Sequence, residues 1–396
     1  MLDFLNSFKS LIKLEKIHTD NNIFKLHYRF TVIMLIVFSI LITSKQYFGD
    51  PINCDVAYDR KSVIDTYCWI FGTFRIKSSV TGTYMLYSIW PGLGNYVNTK
   101  HTNNAWKEIM NTSDLDDVII SQKYYQWVCI VLCFQALLFY IPRYLWKTWE
   151  GGRLRLLVKD LGLDHFVYVD KFLTQYVTGS PLISSSWNTE CKEKLISYVL
   201  AGKYSHNLYC FRFTVCEILN FVNVIGQILL MDWFLNYQFS DYGISLMTTN
   251  AFETMNRVFP KLTKCTYGKF GPTGTVETRD ALCVLPINVV NEKLFIFLWL
   301  WFYVLSLLSV LALFYRMLIL FIPNFRLYLL MAQARYISRN HAEAIVKRLT
   351  YGDYFILYQM GKNLNPLIYK DLINGMGRIL MDKTSLSYNP EVTIPI

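Results

Sequence analysis

YYQWVCIVLCFQALLFYIPRYLWKTWEGG, residues Tyr124 to Gly152, is the stretch from which the architecture of this chain can be read. Between Trp127 and Trp146 it carries a single charged residue, Arg143, over about twenty residues, the length that an α-helix needs to cross a bilayer core. Aromatic residues cluster at both ends, as they do at membrane–water interfaces. The cations Lys147, Arg153 and Arg155 follow the segment, so the positive-inside tendency places its carboxyl end in the cytosol.

The composition of the whole chain agrees with a membrane protein. Of its 396 residues, 53% are hydrophobic and only 17% are charged, whereas soluble domains carry about 25% charged residues. The net charge of +10 comes from cations that flank apolar runs and do not form one basic tract. Anionic lipid of the inner leaflet is therefore the expected partner of this charge, and nucleic acid is not.

Four apolar runs of this kind predict four membrane spans with both termini in the cytosol. The spans are predicted at residues 28–44, 124–148, 208–235 and 294–322. They separate a cytoplasmic amino-terminal segment (1–27), an outer loop (45–123), a cytoplasmic loop (149–207), a second outer loop (236–293) and a cytoplasmic carboxyl-terminal domain (323–396). The predicted fold class is an all-α integral membrane protein. It is a four-transmembrane-helix bundle with extracellular loops that contain short strands and a helical cytoplasmic domain.

The amino-terminal segment is amphipathic. Apolar residues recur at helical spacing from Phe4 to Ile12, and Lys9, Lys13 and Lys16 occupy another face. Such a helix either lies on the inner membrane surface or folds into the mouth of a pore, and composition alone favours the surface. No signal-peptide cleavage site follows, so this segment is expected to stay in the cytosol.

Polar residues within the spans leave two interpretations open. In the first span, Thr31, Ser39 and Thr43 fall on one stripe, which is typical of helix–helix contacts and less often of a water-filled lumen. The third span contains Glu217 about two turns from Arg212. A carboxylate satisfied by a partner near the inner surface is the plainer interpretation there, since ionisable groups in membranes face protein or water.

The nine cysteines divide by compartment. Cys54 and Cys68 lie in the first outer loop and Cys265 and Cys283 in the second, so an oxidising environment predicts two disulfides with three possible connectivities. Zinc binding is disfavoured because the spacings are wide and no paired histidines accompany them. A glycosylation sequon at Asn111 also lies in the first outer loop.

Motifs of catalysis are missing from the sequence: there is no GxSxG, P-loop, HExxH or GxGxxG motif. The six histidines are scattered over different compartments. We therefore expect no enzyme activity, no metal site and no cofactor.

Several ordered stretches carry a resemblance to a known family. They are YYQWV (Tyr124, Tyr125, Gln126, Trp127, Val128), SKQYFGDPINC ending at Cys54, FYIPRYLWKTWEGGRL from Phe139 to Leu154, and LCVLPINVVNEKLFIFLW from Leu282 to Trp299. Together they resemble the innexins, the invertebrate gap-junction proteins, and insect members in particular. The resemblance covers nearly the whole chain.

The resemblance implies a large-pore channel of the plasma membrane, a ring of eight subunits, formed with copies of the same chain or with other innexins. Two rings of adjacent cells dock head to head, and an undocked ring can act as a hemichannel. In this family the amino-terminal helix enters the pore, which reverses the preference for the membrane surface. Met1, Leu2, Asp3, Asn6 and Ser7 then become candidate lumen residues, and Thr31, Ser39 and Thr43 candidate pore wall. The family pairing joins Cys54 to Cys283 and Cys68 to Cys265.

Two alternatives remain. A pannexin-like channel that never docks has the same number of loop cysteines. An adhesion protein with four spans and no pore accounts for the topology, but it gives no reason for an amphipathic amino-terminal helix.

Overall fold

In the part of the chain that the structure describes, four helices are long and apolar enough to cross a membrane: Asn22–Phe48, Val128–Glu150, Tyr204–Phe234 and Pro286–Phe321. They belong to a computed structural model that describes residues 19–56, 60–76, 119–154, 196–197, 199, 203–248, 251–334, 337–364 and 366–387. These four helices, together with a small sheet formed by the segments that connect them, confirm the predicted class of a helical membrane protein with short strands in its loops.

The elements are numbered here in chain order. The helices are α1 (Asn22–Lys25), α2 (Val32–Phe48), α3 (Lys61–Phe71), α4 (Val128–Glu150), α5 (Lys203–Phe234), α6 (Phe239–Thr248), α7 (Ala251–Val258), α8 (Pro286–Phe321), α9 (Pro323–Gln333), α10 (Arg339–Arg348), α11 (Tyr351–Asn363) and α12 (Pro366–Ser387). A π-helical turn, Leu26–Thr31, joins α1 to α2, and a 3₁₀ turn, Tyr124–Gln126, precedes α4. The strands are β1 (Asn53–Asp55), β2 (Thr73–Ile76), β3 (Ile119–Gln122), β4 (Leu262–Phe270) and β5 (Val276–Val284).

The second membrane helix, α4, shows how local sequence sets a helix end. It continues through Pro142 and ends at Gly151 and Gly152, whose φ angles of 58° and 77° favour glycine. The carboxylate of Glu150 accepts hydrogen bonds from the backbone N–H groups of Gly152 (2.7 Å) and Leu154 (3.0 Å). The chain therefore leaves this helix in a defined direction.

The chain divides into two compact units. Unit 1 comprises residues 1–30, 139–223 and 306–396, and unit 2 comprises residues 31–138 and 224–305. Unit 1 holds the segments that the charge pattern assigns to the cytosol, and unit 2 holds both predicted outer loops.

Unit 2 contains a five-stranded antiparallel sheet with the strand order β1-β5-β4-β2-β3. Strands β4 and β5 form a hairpin whose register runs from Leu262 opposite Val284 to Phe270 opposite Val276. Along β4, every second residue from Thr263 to Tyr267 is buried, the alternation expected of a sheet with one covered face. Strands from the two predicted outer loops thus pair in one sheet.

The core of unit 1 joins the carboxyl-terminal helices to the inner parts of the membrane helices. Fully buried side chains of this core include Phe213 of α5, Leu357 of α11 and Met376 of α12. A capping box begins α11, in which Thr350 and Asp353 exchange hydrogen bonds with each other's backbone N–H groups. Burial of these apolar faces holds the carboxyl-terminal helices in place.

The polar stripe of the first span lies largely inside unit 2. Thr31 is fully buried and accepts a hydrogen bond from the indole N–H of Trp301 (2.9 Å). Ser39, also buried, donates to the carbonyl of Cys129 (3.0 Å). Both side chains therefore make helix–helix contacts within their own subunit. Thr43 is half-buried.

Candidate functional site

Two adjacent disulfides cross-link the five-stranded sheet of unit 2 and the helix α3. Cys54 of β1 stands opposite Cys283 of β5 and is bonded to it, with a Cα–Cα distance of 3.9 Å. Cys68 of α3 is bonded to Cys265 of β4, with a Cα–Cα distance of 5.8 Å. The sulfurs of Cys54, Cys68 and Cys283 lie within 4.8 Å of one another. Since each of these sulfurs is already in a disulfide, the cluster offers no thiolate to a metal ion.

A carboxylate adds a second tie between α3 and the sheet. The Oδ1 atom of Asp65 accepts a hydrogen bond from the backbone N–H of Cys54 at 2.7 Å. The helix α3 is therefore attached to β1 by this bond and to β4 by the disulfide at Cys68. Two attachments on different strands fix its orientation on the sheet.

The YYQWV motif connects α4 to the helix α3 that is attached to the sheet. Tyr125 is fully buried, with its ring 4.9 Å from that of Trp69 on α3. The side-chain amide of Gln126 donates to the carbonyl of Trp69, and that of Gln46 donates to the carbonyl of Tyr125 (2.9 Å). The motif therefore joins the first two membrane helices to α3.

Tyr124 and Arg75 hold the end of α7 on the opposite flank of the same junction. The Arg75 guanidinium donates to the carbonyls of Asn256 (2.7 Å) and Arg257 (3.3 Å), which satisfies the last turn of that helix. The Tyr124 hydroxyl donates to the carbonyl of Val258 at 3.4 Å. Burial raises the pKa of Tyr124, so its phenol stays neutral and can donate at neutral pH.

The free end of the β4–β5 hairpin presents apolar side chains to the surface. Phe270 and Val276 face each other across the last register pair, and they are 74% and 59% exposed. The turn between them, Gly271–Thr275, contains Gly274 with a φ of 78°. The two exposed apolar side chains therefore stand side by side at the free end of the hairpin.

The other residues predicted from sequence are distributed as follows. The candidate lumen residues Met1, Leu2, Asp3, Asn6 and Ser7 and the sequon residue Asn111 lie outside the described residues. Trp127 is 57% exposed and Val128 is buried at the start of α4.

Among its described residues, unit 1 contains two buried pairs of a carboxylate with a guanidinium; sequence reasoning missed one of them and assigned a different partner in the other. Asp20 binds Arg143 at 2.6 Å, a pair that was not predicted. Glu217 is satisfied, as the plainer interpretation requires, but by Arg316 of α8 at 2.8 Å. Arg212, the neighbour in sequence, instead stacks on the ring of Trp149 at 6.0 Å. The sequence signal for both pairs was a lone charge within or beside an apolar run.

Comparison with known proteins gives one consistent result. A sequence model of the family described as Innexin matches residues 20–380. The chain is 44% identical to Innexin inx2 of Drosophila melanogaster over 384 residues, which cover 96% of each protein. It is 45% identical to Innexin inx2 of Schistocerca americana over 97% of this chain and 99% of that protein. Innexin shaking-B of Drosophila melanogaster is 38% identical over 96% and 95% of the two chains.

Proposed function

Since the chain belongs to the innexin family, whose members are subunits of gap-junction channels, we propose that eight copies enclose one pore and that two such rings dock through their outer sheets. The protein is a multi-pass subunit of the gap junction in the plasma membrane, and it assembles with other innexins. Members of this family are channel proteins and not enzymes. We extend that statement to this chain, together with an ability to open as an undocked hemichannel.

The observation that carries the docking proposal is the sheet shared by the two outer loops. Strands from both loops pair within it, and two disulfides cross-link it. Such cross-links limit the conformations open to long loops, so the sheet can keep its shape with a small core. Its hairpin ends in the exposed pair Phe270 and Val276, which we propose as a contact with the opposite ring.

A charged substitution at this pair tests the docking surface. The double variant Phe270→Lys/Val276→Lys is expected to abolish junctional current between paired cells, because like charges would meet across the contact. Its single-membrane current is expected to remain, since the pair lies far from the disulfides along the hairpin register. Both currents are recorded by electrodes in paired and single cells.

Tyr237→Lys controls for a lysine placed at an exposed aromatic position outside the hairpin. Tyr237 is 74% exposed, as is Phe270, but it lies between α5 and α6 and not on the hairpin. Its junctional current should equal that of the unaltered protein. Full junctional current in the double lysine variant would contradict the hairpin contact. If the unaltered protein gave single-membrane current but no junctional current, the result would favour a channel that does not dock.

Cysteine scanning tests the pore assignment. In a ring of subunits, Asp3→Cys, Asn6→Cys and Ser7→Cys would place thiols in the lumen, so a charged thiol reagent applied from the cytosolic side should reduce single-channel current. The unaltered protein, treated in the same way, controls for its own free cysteines, which include Cys133. Unchanged current in all three variants would remove the amino-terminal segment from the pore.

A further inference from the structure

Asp20, which lies two residues before α1, is held by a buried ion pair. Its carboxylate accepts hydrogen bonds from Nη1 of Arg143 on α4 at 2.6 and 2.7 Å and from the hydroxyl of Tyr28 at 3.1 Å. Asp20 is 3% exposed and Arg143 is 6% exposed. The guanidinium also lies over the ring of Tyr28, 4.8 Å from its centroid. The chain at residue 20 therefore cannot shift without separating two enclosed charges.

The next residue, Asn21, links two other parts of unit 1. Its side-chain N–H donates to Oε1 of Glu217 on α5 at 2.7 Å. Its side-chain oxygen Oδ1 accepts a hydrogen bond from the ammonium of Lys362 on α11 at 3.3 Å. Glu217 is itself held by two hydrogen bonds from Arg316 of α8, at 2.8 and 2.9 Å. One amide therefore connects a membrane-helix carboxylate to the carboxyl-terminal domain.

The two contacts differ in how easily they can change. The Asp20–Arg143 pair is enclosed, whereas Lys362 is exposed and its ammonium also lies over the ring of Tyr358 at 4.4 Å. The π-helical turn Leu26–Thr31 follows within the same helix, and turns of this kind are frequent at functional sites. The Asp20 contact is thus the fixed one, and the Asn21–Lys362 contact is the adjustable one.

We propose that Asp20 is a positioning residue that holds the chain at Asn21, and that the carboxyl-terminal domain acts on channel opening through the contact of Lys362 with Asn21. This inference rests on the proposed function, in which a ring of these subunits encloses a pore. A movement of α11 changes whether Lys362 reaches Asn21, and the Asn21 amide carries that change to Glu217 on the third membrane helix. Glu217 is also bonded to Arg316 of the fourth membrane helix, so both helices are linked to the contact.

Comparison of Asn21→Ala with Asn22→Ala tests the first step. Asn22 is the adjacent residue and is exposed, so its truncation controls for the loss of an asparagine at the start of α1. Asn21→Ala removes both hydrogen bonds of this amide and should change the equilibrium between open and closed junctional states at a fixed voltage by about fivefold or more, since one such bond corresponds to about fivefold. Asn22→Ala should leave that equilibrium unchanged.

Lys362→Ala and Lys347→Ala test the second step. Lys347 lies on α10, its side chain is 78% exposed, and its ammonium is 3.9 Å from the carboxylate of Glu343. Lys347→Ala therefore removes the same surface charge as Lys362→Ala and serves as its control. Lys362→Ala should shift the equilibrium in the same direction as Asn21→Ala but by less, because it removes only the Lys362–Asn21 contact. The double variant should equal Asn21→Ala alone, since that contact is already lost in Asn21→Ala. Lys362 is on the surface, so this variant keeps its fold even if Asn21→Ala fails to reach the membrane.

The outcomes separate this inference from the function on which it rests. Unchanged gating in Asn21→Ala and Lys362→Ala, or equal changes in the asparagine and lysine controls, overturns the coupling, while junctional current in the unaltered protein upholds the channel function. Absence of both junctional and single-membrane current in the unaltered protein at the cell surface overturns the channel function, and the coupling falls with it.

Discussion

At the scale of single residues, Arg316 and Glu217 meet with only 7% of each side chain exposed. A buried pair of this kind contributes little relative to a well-packed apolar pair, but the loss of one partner leaves an uncompensated charge. Their importance therefore lies in what happens when one of them is removed.

Arg316→Met should destabilise the protein by about 3–5 kcal/mol, because Glu217 would remain as an unpaired buried charge. Arg339→Met is the control. Arg339 pairs with Glu343 at 3.0 Å, but its side chain is 74% exposed, so its loss should cost about 0–1 kcal/mol. Thermal unfolding of the detergent-solubilised protein measures both. The double variant Glu217→Met/Arg316→Met should recover part of the loss, and a double variant no more stable than Arg316→Met would argue against the buried-charge explanation.

Asp353 makes stability depend on acid pH. Burial raises the pKa of this carboxyl group, but hydrogen bonds from His206 (2.7 Å) and Thr350 (2.7 and 3.1 Å) outweigh burial and hold the pKa below its ordinary value of 3.8. Since the folded-state pKa is depressed, the contribution of Asp353 to stability is complete above the ordinary pKa and is lost as the pH falls through the lower folded-state value.

Unfolding midpoints measured across this acid range should therefore fall less steeply for Asp353→Asn than for the unaltered protein, and the variant should be less stable near neutral pH. Asp371→Asn, at an exposed position of α12, should leave the pH dependence unchanged. Parallel pH profiles for Asp353→Asn and the unaltered protein would show that the carboxylate contributes nothing through its charge.

At the scale of elements, α6 lies so close to α8 that only glycine fits between them. A Cβ atom on Gly243 would stand 2.3 Å from the indole ring of Trp299, whose N–H donates to the carbonyl of Ser240 at 3.1 Å. The close approach places α6 against the amino-terminal part of the fourth membrane helix. Asp232, at the end of α5, accepts a hydrogen bond from the backbone N–H of Ser240 at 2.7 Å and so fixes where α6 begins.

Gly243→Ala should therefore destabilise unit 2 by about 1–3 kcal/mol or more, the usual cost of overpacking. Gly226→Ala is the matched control, since a Cβ there meets nothing within 4 Å and alanine favours a helix by about 0.5–1 kcal/mol. Surface delivery and the unfolding midpoint report both effects. Equal behaviour of the two variants would mean that α6 can move away from Trp299 at no cost.

At the scale of the whole molecule, the two disulfides join residues that are 229 and 197 positions apart. They connect the segment before the second span to the segment before the fourth, so the outer sheet cannot form until most of the chain has been made. The motif at Tyr124 to Val128 then attaches α4 to this sheet through Trp69.

The double variant Cys54→Ser/Cys283→Ser removes the disulfide with the larger sequence separation. Its free energy of unfolding should be lower by roughly 2–5 kcal/mol, the usual range for a native disulfide. We expect lower surface delivery and loss of junctional current, measured by surface labelling and paired-cell recording. Cys133→Ser, which alters an exposed thiol of α4 outside the sheet, should keep both. Normal junctional current in the double serine variant would show that strand pairing alone holds the docking surface.

Much of the architecture follows from sequence alone. A bilayer accepts only segments that satisfy their own backbone hydrogen bonds, so an apolar run such as Trp127 to Trp146 predicts a helix without knowledge of its neighbours. Cation placement then orients each span, and the positions of Cys54 and Cys283 assign them to the oxidising side. These signals are local, and for that reason they can be read from the chain.

The partners of individual side chains were decided by tertiary structure. Asp20 and Arg143 are 123 residues apart, and Glu217 and Arg316 are 99 apart, so no periodicity relates them. Composition likewise could not tell whether Thr31 faces a lumen or a neighbouring helix, since a small polar side chain suits either surface. Which surface it meets depends on how the first and fourth membrane helices pack, and that packing is a property of the assembled chain.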